Sequence, residues 1–162
     1  MNVTVDDKPV SGVVGYLNAI RAMRSLQYPK TPKGFLYGSM DEMLLALGRS
    51  FTPAPLPKGV RRGRMKMCYM NAANLVMDNP ELVYCEGYAA GILPVMHAFC
   101  VTRKGAVVDP TWKDGTEYFG VPIKREFLRK TLLRNKVYGV LDDWKNEWPL
   151  CRLPSSEWLE AL

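Results

Sequence analysis

One histidine, His97, stands among four cysteines in 162 residues: Cys68, Cys85, Cys100 and Cys151. These residue types set the chemistry within reach. A thiolate is a strong nucleophile, and an imidazole can take and return its proton. A single histidine excludes a His-rich metal centre. No two cysteines form a C-x-x-C pair, which speaks against a zinc finger or ribbon. No metal and no organic cofactor is implied.

The stretch 95-VMHAFCVTRKGAVVDPTW-112 reads as two apolar strands joined by a turn around Arg103, Lys104 and Gly105. Alternation puts Val95, His97, Phe99 and Val101 on one face, and Met96, Ala98, Cys100 and Thr102 on the other. His97 and Cys100 therefore point apart. A two-residue loop, Lys104-Gly105, would set Asp109 opposite Cys100, away from His97. A three-residue loop pairs Thr102 with Ala106 and Phe99 with Asp109. Asp109 then shares the His97 face at a diagonal position, roughly 7–8 Å away by backbone. Glycine in last place suits a type I turn closed by a left-handed residue. The three-residue register is preferred, with Asp109 as partner of the imidazole.

The nucleophile must come from elsewhere in the chain. Cys68 starts a predicted helix, where backbone N–H groups favour a thiolate. Cys85 and Cys100 lie inside strands and read as small buried residues. Cys151 has no acid–base partner nearby in sequence. Glu86, in 84-YCEGYA-89, shares a strand face with Tyr84 and Tyr88. It is either an edge residue in water or a site residue. Tyr69 and Trp112 are candidates for contact with substrate, though a core tryptophan is the more common case. Asn71 could bond substrate or pack, and packing is preferred for Asn74.

The elements that must position these residues follow from periodicity. Residues 11–26 read as a helix with Val13, Leu17, Ile20 and Met23 at helical spacing and Ser11 as cap. Ser39-Met40-Asp41-Glu42 is a capping-box pattern ahead of a helix over 40–47, with Gly48 placed to stop it. A proline-rich connector and a loop lead to a third helix over 67–77. Strands are expected over 82–89, 95–102, 106–109 and 118–123, then a helix over 124–134. A packed tail with Trp144, Trp148 and Trp158 ends in a short helix capped near Ser155 or Ser156. Helices first and an antiparallel sheet afterwards make an α+β fold. One domain is expected over 1–162: a helical region 1–56, a loop 57–66, a core 67–123 and an extension 124–162.

The order 68-CYMNA-72, 97-HAFCV-101, 105-GAVVDPTW-112 resembles the transglutaminase-like (papain-like) cysteine superfamily. It is also similar to small uncharacterised bacterial and phage proteins with the same order. The resemblance covers residues 67–112, about a quarter of the chain. It implies a core helix opened by the nucleophile Cys68, a strand carrying His97 as base and then acid, and Asp109 orienting the imidazole. It also implies the backbone N–H of Cys68 as one oxyanion donor. Two family features are missing. The only Gln is Gln27, 41 residues before Cys68, and Tyr69 stands where transglutaminases often carry tryptophan.

The formal net charge is +6. Five of the basic residues, Lys58, Arg61, Arg62, Arg64 and Lys66, fall in one acid-free window, and without them the net charge is +1. This is a local patch just ahead of Cys68, with Arg64 and Lys66 closest to it. It would steer an acidic protein or peptide substrate. No aromatic residue interleaves between Lys58 and Lys66, so a base-stacking platform for nucleic acid is not indicated. No apolar run approaches the roughly 18 residues of a membrane span. Asp6 and Asp7, with no apolar run beside them, do not read as a signal peptide. A cytoplasmic protein with reduced thiols is expected. The expected activity is a cysteine-dependent hydrolase or acyl transferase that acts on a peptide or glutamine amide. The alternatives are a non-enzymatic, phage-encoded modulator of a host protein or anionic ligand, and a nucleic-acid binder.

Overall fold

Helical spacing of apolar residues in the first third, and period-two alternation after residue 81, divide the chain into helices and sheet. The computed structural model describes residues 12–162, so the Ser11 cap lies outside the described residues. Helix α1 (Val13–Gln27) buries Val13 and Leu17. Helix α2 (Met40–Leu47) starts where the Ser39 hydroxyl accepts the Glu42 N–H at 3.1 Å. The Glu42 carboxylate returns to the Gly38 N–H at 2.9 Å, one residue before the usual capping-box partner. Helices α3 (Cys68–Asp78), α4 (Arg125–Asn135) and α5 (Ser155–Trp158) complete the α-helices among the described residues, and two short 3-10 helices, Trp144–Asn146 and Pro149–Cys151, lie in the tail.

The five strands are β1 (Arg49–Phe51), β2 (Val83–Ala90), β3 (Pro94–Val101), β4 (Val107–Val108) and β5 (Glu117–Ile123). They form one antiparallel sheet in the order β1-β5-β2-β3-β4. The fold is therefore α+β. The sheet curls until its two edges touch. Thr52 donates to the Gly105 carbonyl at 3.0 Å, and Val107 donates to the Thr52 carbonyl at 2.9 Å. The face inside the curl is apolar, with Phe51 from one edge strand packed edge-on against Phe99 from β3 at 5.7 Å. The other face, with Tyr84, Ala98, Cys100 and Val121, packs on the helices.

The β3–β4 turn follows the three-residue register. Cys100 pairs with Val108 and Val101 with Val107, and Thr102 donates to the Ala106 carbonyl at 2.9 Å. Gly105 sits at φ +81, a left-handed conformation that an L side chain adopts only at a cost. Strand β1 was not anticipated; its three residues follow Gly48 inside the supposed connector. Its partners are residues 118–120, so nothing local announces it. The tail needs two corrections. Helix α5 is entered from Pro154 with no side-chain cap, so neither Ser155 nor Ser156 caps it. Only Trp158 is fully buried, while Trp144 is 61% exposed and Trp148 39%. Of the three tryptophans, Trp158 alone is buried; Leu150 and Cys151 are buried with it.

Candidate active site

His97 lies on the inner face of β3, 1% exposed. Its Nε2 donates to Asp109 Oδ2 at 2.8 Å. Asp109 is held from four sides. Its Oδ1 accepts the backbone N–H groups of Thr111 and Trp112 at 2.8 and 3.0 Å. Its Oδ2 also accepts the Tyr118 hydroxyl at 2.9 Å. The Trp112 ring stacks on the imidazole at 4.4 Å between centroids. The Asp-Pro-Thr-Trp turn thus folds back so that its own amides orient the carboxylate and its tryptophan covers the histidine.

Cys68 is the first residue of α3, and the preceding Met67 supplies no side-chain cap. The first-turn N–H groups of α3 are consequently left for the sulfur. The backbone N–H groups of Ala98 and Tyr69 favour the charged form of the sulfur. Strand β4 ends at Val108, opposite Cys100, so it does not extend alongside Ala98. With Nε2 given to Asp109, Nδ1 is the ring nitrogen left for the Cys68 thiol.

The electrostatics follow from this packing. Burial opposes ionisation of Cys68, but the hydrogen bond from His97 and the two amides outweigh it, and the thiol pKa falls below its ordinary value. Burial likewise opposes the imidazolium. Asp109 and Cys68 overcome that, and the His97 pKa rises to about 9. Asp109 is held below the usual carboxylate range, because His97 and the two turn amides outweigh its burial. The other cysteines go the opposite way. Burial pushes Cys85 and Cys100 well up and Cys151 to about 11. Cys100 donates to the Ala72 carbonyl at 3.2 Å.

Of the remaining candidates, the structure brings Tyr69 and Glu86 together and leaves Arg64 and Lys66 apart from them. A cleft of about 610 Å³ is lined by Tyr69, Glu86 and Met96 on one side and by parts of 134–146 on the other. Tyr69 follows Cys68 in α3, so one wall of this cleft adjoins the nucleophile, while Met96 stands on the opposite face of β3 from His97. Glu86 is no edge residue. It is 1% exposed in a strand with neighbours on both sides. It accepts from Tyr84 Oη (2.6 Å), the Val140 N–H (2.6 Å) and the Leu141 N–H (2.8 Å). Burial raises its pKa despite these donors. A second cleft of about 510 Å³ lies behind Trp112 and includes Arg62, Lys113, Asp109 and Tyr118.

Arg64 and Lys66 are exposed and line neither cleft. The loop that carries them is nevertheless pinned to the site. The Gly63 N–H donates to the Pro110 carbonyl at 2.7 Å, and Arg62 Nε to the Trp112 carbonyl at 3.3 Å. Asn71 Nδ2 bridges the Arg64 carbonyl and the Thr111 hydroxyl, both at 2.9 Å. A side chain at Gly63 would collide with Asn71, which explains glycine there. Sequence reasoning missed Tyr118, Thr111 and the 137–146 wall. Thr111 carried a signal, since it stands in the 105-GAVVDPTW-112 stretch, whereas Tyr118 lies in an expected strand with nothing local to tie it to His97.

Among the described residues, no three His, Cys, Asp or Glu side chains cluster to hold a metal ion. No helix among them is long and apolar enough to cross a membrane. No family model, curated protein or solved structure matches the chain.

Proposed function

We propose that the protein is a cysteine-dependent hydrolase or acyl transferase, transglutaminase-like in its core, that acts on an amide of a peptide or a glutamine side chain. The observation that carries the reading is that Cys68 has a lowered thiol pKa and faces a histidine already bonded to an aspartate, while burial pushes the other three thiols up. In this reaction the Cys68 thiolate adds to the carbonyl carbon and the carbonyl electrons move onto oxygen, with the Cys68 backbone N–H as one donor to it. The C–N bond then breaks as the His97 imidazolium passes its proton to the leaving amine. Water, or an acceptor amine, attacks the thioester, gives its proton back to His97 and releases the thiolate. Asp109 stays ionised and holds the ring in place.

Iodoacetamide labelling of the native protein across pH, with the modified cysteine mapped, tests the reading. Fast labelling of Cys68 well below pH 8, slowed by His97→Ala, is the expected result. Uniformly slow labelling, or first labelling at Cys151, would sink it. A second reading, a non-enzymatic binder of an acidic protein or anionic ligand, draws support from the pinned basic loop and from Arg62 and Lys113 in the cleft behind Trp112. It predicts an inert Cys68 and binding that weakens as salt rises.

A further inference from the structure

The cleft beside Cys68 holds five charged side chains, and their partners decide what it can take. Glu86 spends its oxygens on the Tyr84 hydroxyl and the two amides of 140–141. Asp143 receives Asn135 at 2.9 Å and Asn146 at 2.8 Å, with Arg134 at 3.6 Å. Arg134 also gives its Nε to Asn135. Lys145 Nζ lies 5.7 Å from the Trp144 ring centroid. That leaves Asp142. It is exposed, lines the cleft, and accepts only the Trp148 Nε1–H, through Oδ1 at 3.1 Å. No cation within 4 Å pairs with Asp142 among the described residues.

The walls around Asp142 are aromatic and aliphatic. Tyr138 is 47% exposed, and Val137 and Trp144 lie open at the mouth. Such a cleft suits a long aliphatic stem that ends in a cation. The stem covers apolar surface, the charge meets a carboxylate, and an aromatic face adds attraction. Lys145 already shows that the Trp144 ring tolerates an ammonium nearby.

We propose that this cleft is the specificity pocket for a lysine or arginine side chain of the substrate, with Asp142 as its anionic end and Tyr138 and Trp144 as its walls. The inference rests on the reading of Cys68 as the reacting group, since Tyr69, the next residue in α3 and within reach of the Cys68 charge, lines the cleft. It refines the role of the basic loop. The loop attracts an acidic partner over distance, while the pocket selects a basic side chain at the point of contact.

Binding is tested without turnover. The Cys68→Ala protein is titrated by NMR with acetyl-lysine amide, acetyl-norleucine amide and acetyl-glutamate amide, with the Trp144 indole N–H and the Tyr69 amide as reporters. The lysine probe is expected to bind about fivefold tighter than norleucine, the size of a partly exposed ion pair with an aromatic contact. Asp142→Asn keeps an acceptor for Trp148 and is expected to erase that difference, while Asp142→Glu retains it. Equal binding of the three probes, a preference for glutamate, or a lysine preference that survives Asp142→Asn would overturn the proposal. Iodoacetamide labelling of the unsubstituted protein separates the two readings. Fast labelling without lysine preference removes the pocket alone, and lysine preference with an inert Cys68 removes the enzyme alone.

Discussion

Tyr118 and His97 share one oxygen of Asp109, at 2.9 and 2.8 Å. The tyrosine hydroxyl bonds the carboxylate and acts on the histidine through it, while its ring lies tilted 6.3 Å from the imidazole. Tyr118→Phe removes one donor from a charged acceptor and is expected to lower stability by about 1.5–3 kcal/mol. Slower alkylation of Cys68 with an unchanged near-ultraviolet spectrum would show that the carboxylate's position matters beyond folding. An unchanged alkylation rate would confine Tyr118 to a structural role. The pH dependence of alkylation also belongs at this scale. The Cys68 pKa is lowered and the His97 pKa raised to about 9, so the thiolate–imidazolium pair spans the interval between them. The rate should rise below the ordinary thiol range and change again near pH 9, measured by stopped-flow with iodoacetamide. A single rise at the ordinary thiol value of 9.0 would contradict the pairing.

Two elements set the geometry: the β3–β4 turn and the segment that hangs on Glu86. A Cβ on Gly105 would meet only Arg49 and Phe51, at an unstrained 3.9 Å, so Gly105→Ala tests backbone conformation. A loss of about 1–2 kcal/mol is expected in urea denaturation, with Gly105→Asn losing less because asparagine tolerates the left-handed region. Glu86→Gln can accept from Tyr84 and Val140, but its amide then faces the Leu141 N–H, donor against donor. A loss of about 1–3 kcal/mol follows. Faster hydrogen exchange at Leu141 would place that loss in the cleft wall; exchange unchanged there would refute it. The turn was legible in the sequence because its length, its glycine and the alternation of 95–109 all act locally. The role of Glu86 was not, because its amide partners lie 54 and 55 residues away and residues 139–141 carry no pattern of their own. Strand β1 escaped for the same reason: three residues beside prolines show no period.

Across the whole molecule, pH should act on stability through the His97–Asp109 pair. His97 has a raised pKa, so its contribution is complete below its ordinary 6.5 and is lost as pH rises through about 9. Asp109 has a lowered pKa, so its contribution is complete above its ordinary 3.8 and is lost as pH falls through the lowered value. The stability difference between the native protein and His97→Phe should therefore be greatest between about pH 4 and 6.5 and shrink on both sides, by denaturation midpoints. A difference that grows towards pH 9 would contradict the sign. The α+β order and the Cys68, His97 and Asp109 candidates were readable at this scale, since each rests on a short local pattern. The sheet's closure onto itself was not, because Thr52 and Ala106 meet only after the whole sheet has formed. Their distance along the chain also orders assembly in time. His97 and Asp109 are 12 residues apart across one tight hairpin, so the loop they close costs little entropy and their pairing belongs among early folding contacts. Cys68 joins them only when α3 docks on β3 across a much longer loop. A nascent or partly unfolded chain thus carries an oriented base with no activated sulfur beside it. Under the proposed function, reactivity would come last, and the chain would be spared its own chemistry until it has folded.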